Sequence, residues 1–381
     1  MTMSDADNDD AEAAGLPSPS AATELLGHAD AEHRLLEAWN SGRMPHAWLF
    51  AGPPGIGKAT LAFRLAKFVL SDGGAGAGGL FGEPLPPTSL SVDPESQAAR
   101  QVSAESHPDL KILRRKPNDR GVMSAVIRVD DVRAFESSLH FKTSSGGWRV
   151  AIVDEAEKMN SNAENALLKI LEEPPSKTLI IIVSNALNAM LPTTRSRCRR
   201  LMMAPLSDEV VSTLVNRAHP HLPRPDLDLI LRLAEGSPGR ALEFVEAGGA
   251  ELYRNVAKVL ADLPEVSGEN LHALAGNWGG RKPKEGERDP FRTGTDLLLR
   301  WIDRAIRAAN HAPGLHEIIP GDLEAGRVYV ARIGVEAAFR RREAVQRLIR
   351  LESALNLDRK QVLIDAIHTL AFGEGLERRR A

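Results

Sequence analysis

The sequence predicts an α/β protein, with a mostly parallel sheet flanked by helices over its first half and an all-helical remainder. Three observations carry this. Short, wholly apolar runs at 47–51, 149–153 and 179–183 have the character of parallel strands buried on both faces. Helix-period patterns at 59–70 and 161–173 alternate with those runs. Strand signals fade after about Pro205. In such a sheet the ligand site lies at the C-terminal ends of the strands.

Taken in order, residues 1–20 are small, acidic and Pro/Ser-containing, the composition of a disordered tail. A helix follows, with Leu35, Leu36 and Trp39 on one face. Ala47-Trp48-Leu49-Phe50-Ala51 is the first strand and 59–70 the next helix. Residues 71–106 read as a mobile Gly/Pro-rich insertion, with Gly73, Gly74, Gly76, Gly78 and Gly79 before Pro84, Pro86 and Pro87. Val126-Ile127-Arg128-Val129 and a helix after Asp130 restart regular structure. Arg149-Val150-Ala151-Ile152-Val153 is the second strand. The helix at 161–173 places Ala163, Ala166, Leu167, Ile170 and Leu171 on one face. Ser161 with Glu164 reads as a capping box, and Pro174-Pro175 ends the helix.

Beyond the third strand, 207–247 reads as a small helical unit and 268–294 as another polar, Gly-rich stretch. The remainder is helical. One apolar face carries Leu298, Trp301, Ile302, Ala305, Ile306 and Ala309. A second carries Ala344, Leu348, Leu351 and Leu355, and a third Leu363, Ala366, Ile367, Leu370 and Ala371. No repeat of fixed period is visible.

Composition bounds the function. The 381 residues carry 48 Lys+Arg against 51 Asp+Glu. Five of the acids (Asp5, Asp7, Asp9, Asp10 and Glu12) sit in the tail, which leaves the body slightly basic. Neither balance is the clear basic excess of a dedicated nucleic-acid binder. The single cysteine, Cys198, excludes a disulfide scaffold and a zinc ribbon. No segment approaches the roughly 20 apolar residues of a membrane span. The acidic N-terminus lacks the order of a signal peptide, so the cytoplasm is the expected compartment and no membrane partner is expected.

The strongest local signal is Gly52-Pro53-Pro54-Gly55-Ile56-Gly57-Lys58-Ala59-Thr60, between a strand and a helix. This is the context of a phosphate-binding loop. Glycines let backbone N–H groups approach phosphate oxygens, Lys58 adds a point charge, and the helix N-terminus adds its dipole. One position departs from the pattern. A Ser or Thr hydroxyl that would ligate Mg²⁺ is expected after the lysine, where Ala59 stands. Thr60 lies about 100° further round the helix.

The second strand ends in Asp154-Glu155. Asp154 suits a Mg²⁺ ligand and Glu155 a group that polarises an attacking water; Asp154 as a helix cap is the plainer alternative. Thr193-Thr194-Arg195-Ser196-Arg197-Cys198-Arg199-Arg200 is either a solvated basic turn or an arginine presented to a neighbouring subunit's γ-phosphate. In Gly236-Ser237-Pro238-Gly239-Arg240, Ser237 and Pro238 make a sharp helix start. Arg240 in the first turn opposes the helix dipole, which suits an anionic partner or an ordinary surface arginine. The eleven histidines show no metal-ligand spacing.

Together these residues resemble the AAA+ clamp-loader subunits of bacterial DNA polymerase III, in particular those of the delta-prime kind. The resemblance runs from Leu26-Gly27-His28 through Pro45-His46-Ala47, the glycine loop, His107-Pro108-Asp109 and Asp154-Glu155-Ala156. It continues through Asn165-Ala166-Leu167-Leu168-Lys169-Ile170-Leu171-Glu172-Glu173-Pro174-Pro175 and Ser196-Arg197-Cys198 to Gly236-Ser237-Pro238-Gly239-Arg240-Ala241-Leu242. It covers about residues 20–245.

The resemblance implies a RecA-like AAA+ module at 21–205, a helical lid at 206–250 and a helical collar for oligomerisation at 251–381. It implies a hetero-oligomer with gamma/tau and delta subunits that loads a sliding clamp on primed DNA. It implies a mainly stationary subunit with a weak or absent ATPase of its own, which supplies Arg197 in trans to a neighbouring ATP site. Asn185 falls at the sensor position of the third strand and Arg240 at that of the lid. ATP or ADP is the implied ligand, with Mg²⁺ on Asp154 and Thr60. No zinc is expected, since relatives carry four zinc cysteines where this chain has 71–106. The alternatives are a gamma/tau-type motor, which wants a Ser/Thr where Ala59 stands, or another AAA+ ATPase that remodels DNA or protein.

Overall fold

The computed structural model describes residues 16–71, 86–116, 124–141, 143, 146–279 and 289–373. The described chain forms two compact units. One comprises residues up to 220 together with 236–239; the other comprises 221–235 and 240 onward.

The first unit is built on a five-stranded sheet of β1 (Ala47–Ala51), β2 (Leu110–Leu113), β3 (Arg149–Val153), β4 (Thr178–Ser184) and β5 (Arg199–Met202). All neighbouring pairs are parallel, in the order β2-β3-β4-β1-β5. Strand β4 lies between β1 and β3, with Ile182 level with both Leu49 and Val153. The three predicted strands are present and buried at every position.

Side-chain alternation along the strands divides the core in two. Trp48, Phe50, Val150, Ile152, Leu179, Ile181 and Val183 face α1 (Ala29–Asn40) and α2 (Lys58–Leu70). Ala47, Leu49, Ala151, Val153, Ile180 and Ile182 face α4 (Val129–Leu139) and α5 (Ser161–Glu172). Cys198 packs in this second cluster. Burial pushes its thiol up to about 12, so it is a core residue and not a nucleophile.

Several sequence expectations need correction. The end of the 71–106 stretch is built into the fold: α3 (Gln97–Ser103) is capped by Ser96 and buries Ala99 and Val102, and Leu90 is buried before it. The Gly/Pro cluster at 72–85 lies outside the described residues, as does the tail before residue 16. The cap of α5 is Asn160, whose side chain accepts from Ala163 N–H at 2.9 Å, and not a Ser161–Glu164 box. Glu164 is buried and accepts instead from the Leu191 N–H at 2.7 Å. β2 and β5 were not legible: each has four residues, and β5 is an edge strand with Leu201 alone buried.

Two short helices bear on the site. α6 (Pro192–Arg197) leads into β5, and α7 (Asp208–Ala218), capped by Ser207, closes this unit.

The second unit is all-helical: α8 (Arg224–Ala234), most of α9 (Pro238–Glu246), α10 (Gly249–Ala261), α11 (Gly268–Gly279), α12 (Pro290–Ala309), α13 (Asp322–Ile333), α14 (Val335–Leu355) and α15 (Arg359–Phe372). The stretch 268–279, expected to be a polar connector, is helical and buries Leu271, Leu274, Ala275 and Trp278. Trp278 lies so close to Gly294 that a Cβ there would meet its ring at 2.3 Å. The apolar stripe of α15 is buried as expected, and that of α12 at every position but Ala309, which is partly exposed. That of α14 is buried at Ala344, but Leu351 and Leu355 are 41% and 64% exposed.

Candidate functional site

The glycine loop connects β1 to α2, and its carbonyls are all held from behind. Lys58, itself buried, donates from Nζ to Gly52 O at 2.8 Å and also to Pro53 O. Ser237 Oγ donates to Pro54 O at 2.9 Å, and Gly239 N–H to Gly55 O at 2.9 Å. His28 Nε2 lies 2.6 Å from Ile56 O. A carbonyl only accepts, so Nε2 carries the hydrogen. Burial holds the His28 pKa below its usual value, which favours this neutral form.

Each oxygen from Gly52 to Ile56 therefore has a donor, and the loop is fixed in one conformation. Gly55 and Gly57 have φ of 74° and 104°, which only glycine adopts without strain. Gly57 is also the N-cap of α2 and supplies no side-chain cap to the helix start. A helix start with no side-chain cap, no acids in its first turn and a lysine at its first position fits an anion.

Gly239 comes from the segment 236–239 that packs with this unit. A Cβ on it would lie 2.9 Å from Gly55 Cα. A Cβ on Gly52 would lie 2.3 Å from Met203 O. The loop's glycines thus serve close backbone approach as well as turn geometry.

The carboxylates stand at the end of β3, two strands from the loop strand, a lateral distance of about 10 Å at the usual strand spacing. Asp154 N–H donates to Leu113 O, and Asp154 Oδ1 accepts from the Glu155 N–H at 2.9 Å. Burial raises the Asp154 pKa, and the charges of Glu155 and Glu157 add to it. An acid with this surplus of negative neighbours is a fitting cation ligand. Glu155 takes φ 52° and is gripped by Arg115 through both oxygens, at 2.6 and 2.8 Å. In this arrangement Glu155 is one half of an ion pair.

Asn185 follows β4. Its backbone and side-chain N–H groups donate to the two oxygens of Glu157 at 3.1 and 2.8 Å. Thr60 and Ala59 lie in the first turn of α2, both partly buried. Arg197 ends α6 on the surface, 36% exposed, held by Glu172 Oε1 at 2.6 Å and by Thr193 O at 3.0 Å. Arg199 belongs to β5 and lies over the Trp48 ring. The four-arginine run is therefore a helix end followed by an edge strand. Arg240 lies in the second unit, 3.9 Å from Glu235, and burial lowers its pKa.

The structure thus brings 52–58, His28, Ser237 and Gly239 together, and separately Asp154, Glu155, Glu157, Asn185 and Arg115. Sequence reasoning missed His28 and Arg115 as site supports. No local pattern marks Arg115. His28 was visible only as part of the Leu26-Gly27-His28 string.

A glycine loop after one strand, an acidic pair after another and a further strand between them give this unit the layout of an α/β P-loop module. Residues 27–207 match the family described as DNA polymerase III, delta subunit. The chain is 35% identical over 220 residues to the DNA polymerase III subunit delta' of Pseudomonas aeruginosa, covering 56% of this chain and 61% of that protein. It is 28% identical to the delta' subunit of Escherichia coli, covering 60% and 63%. It is 29% identical to the gamma/tau subunit of Mycobacterium tuberculosis, covering 86% and 57%. The chain thus spans about three fifths of the length of these relatives. Among the described residues no helix is long and apolar enough to cross a membrane.

Proposed function

We propose that the protein is a delta-prime-type subunit of a DNA polymerase III clamp loader, a mainly stationary member that completes a neighbour's ATP site with Arg197. The observation that carries this is the placement of Arg197. It ends a helix on the surface, and its surface partner, Glu172, is itself half exposed. A surface ion pair of this kind is worth about 0–1 kcal/mol, so the guanidinium is readily released to a phosphate on a docking subunit.

The chain's own site supports nucleotide binding more than turnover. The braced loop and helix start fit the phosphates of ATP or ADP. Asp154 and Thr60 would hold Mg²⁺, which would neutralise charge on those phosphates. Ala59 removes the ordinary hydroxyl ligand, Arg115 occupies Glu155, and Lys58 is folded onto its own loop. Each of these lowers turnover without closing the loop to phosphate. Gamma/tau and delta subunits, the sliding clamp and primed DNA are the partners this reading entails, with the helical remainder as the assembly surface.

The test is reconstitution with gamma/tau and delta subunits. Arg197→Ala should assemble normally but reduce ATP hydrolysis by the complex at least about 10³-fold at the dependent site, the scale of a lost arginine finger. Normal hydrolysis by the Arg197→Ala assembly would remove the trans role.

A further inference from the structure

The second unit contains a half-open cavity of about 380 Å³ that the nucleotide loop does not use. Its walls come from the end of α8, one face of α12, the segment before α13, and α14. Four arginines line it: Arg232, Arg300, Arg304 and Arg307. The last three recur at i, i+4 and i+7 on α12, so one helical stripe points three guanidinium groups the same way.

The local acids do not balance them. Asp303 at the wall is taken by Arg342, at 2.9 and 3.2 Å. Arg300 is paired with Asp296 at 2.7 Å and lies 3.9 Å from Glu235. Arg232 reaches the carbonyls of Glu317 and Ile318 at 3.0 and 3.2 Å. Arg304 is 9% exposed, donates to the His316 carbonyl, and its Nε has no hydrogen-bond partner among the described residues. Neither Arg232 nor Arg304 has a carboxylate partner among those residues. Tyr253, whose hydroxyl donates to the buried Asp322 at 2.7 Å, lies beside Arg304 and links it to that acid; Arg232 and the exposed Arg307 have no such acid among the described residues, and an anion in the cavity would balance them.

Between the charged groups the lining is apolar. Leu233, Ile306 and Ile318 form it, and Phe339 at the rim is 51% exposed. A cavity that combines forked guanidinium donors with a half-exposed aromatic ring matches a phosphate carried on a flat base. The volume is at the lower end of small-ligand pockets and admits one nucleotide.

We propose that this cavity binds a nucleotide phosphate, with Arg232, Arg304 and Arg307 on the phosphate and Phe339 against the base. The site is independent of the glycine loop and of Arg197. Two sources share this chemistry, a free nucleotide and one residue of a single DNA strand.

The test uses the full chain carrying Lys58→Ala, which disables the glycine loop, with labelled ATP and a labelled short oligothymidylate as probes in anisotropy titrations. At least one probe should bind. Adding Arg307→Gln with Phe339→Ala should weaken that binding at least about tenfold, with an unchanged melting curve, because both side chains reach solvent. Arg304→Met should abolish it. Binding of ATP alone assigns the site to free nucleotide, and preference for the oligonucleotide assigns it to a strand. The proposal is overturned if neither probe binds, if the double substitution leaves affinity unchanged, or if polyglutamate binds more tightly than both.

Discussion

The most direct perturbation of the glycine loop is His28→Ala. His28 is 7% exposed and Ile56 is 1% exposed, so the 2.6 Å hydrogen bond between them is shielded from water. Truncation leaves the Ile56 carbonyl buried without that donor. Such an orphaned group costs about 1–3 kcal/mol. At about 2 kcal/mol, the local opening equilibrium of the loop shifts by a factor of about 30. The assay is amide hydrogen exchange followed by mass spectrometry, read on peptides covering 52–60. The alanine variant should exchange there about 30-fold faster, while the buried strands keep their protection. His28→Gln retains an N–H donor and should recover part of the loss. Unchanged exchange in His28→Ala, or a glutamine variant as damaged as the alanine one, would refute the bracing argument.

The same histidine gives a pH dependence. Burial, and to a smaller extent the charge of Lys58, depress its pKa below 6.5 in the folded protein. As pH falls through 6.5 the unfolded chain takes up this proton first, so stability falls towards acid and is fully present above that value. Between about pH 7.5 and pH 5.5 the wild type should lose more denaturation midpoint than His28→Gln; parallel profiles would exclude the assignment. Gly239→Ala places a Cβ 2.9 Å from Gly55 Cα, backbone that cannot step aside. It should cost about 1–3 kcal/mol and weaken nucleotide binding, measured by thermal melting with and without ATP. Cys198, with its thiol pushed up to about 12, should react with an aromatic disulfide reagent at neutral pH only after denaturant is added. Prompt reaction of the native protein would contradict its burial.

Much of the fold was written locally. β1, β3 and β4 are continuous apolar runs because both faces of the sheet are covered, and such runs stand out in sequence. The glycine loop was legible for a related reason. Its chemistry needs glycine at fixed spacing before a lysine and a helix, which one short string supplies. The edge strand β5 was illegible because two arginines begin it, a composition that protects an edge and disguises a strand. α3 and α11 were hidden by flanking glycines and prolines. Their few apolar residues become significant only against partners distant in sequence.

The sequence by itself determined the class of fold, the glycine loop, the position of Asp154 and the exceptional Ala59. These depend on residue type and near spacing. Tertiary structure alone decided what each charged group is doing. Glu155 is paired with Arg115, 40 positions away, and Ile56 is held by His28, 28 positions away. Glu172 carries Arg197, and the arginines of α12 meet Arg232 around one cavity. A charge has no fixed meaning along a chain, because its energy depends on what lies within a few ångströms and on how much water remains there.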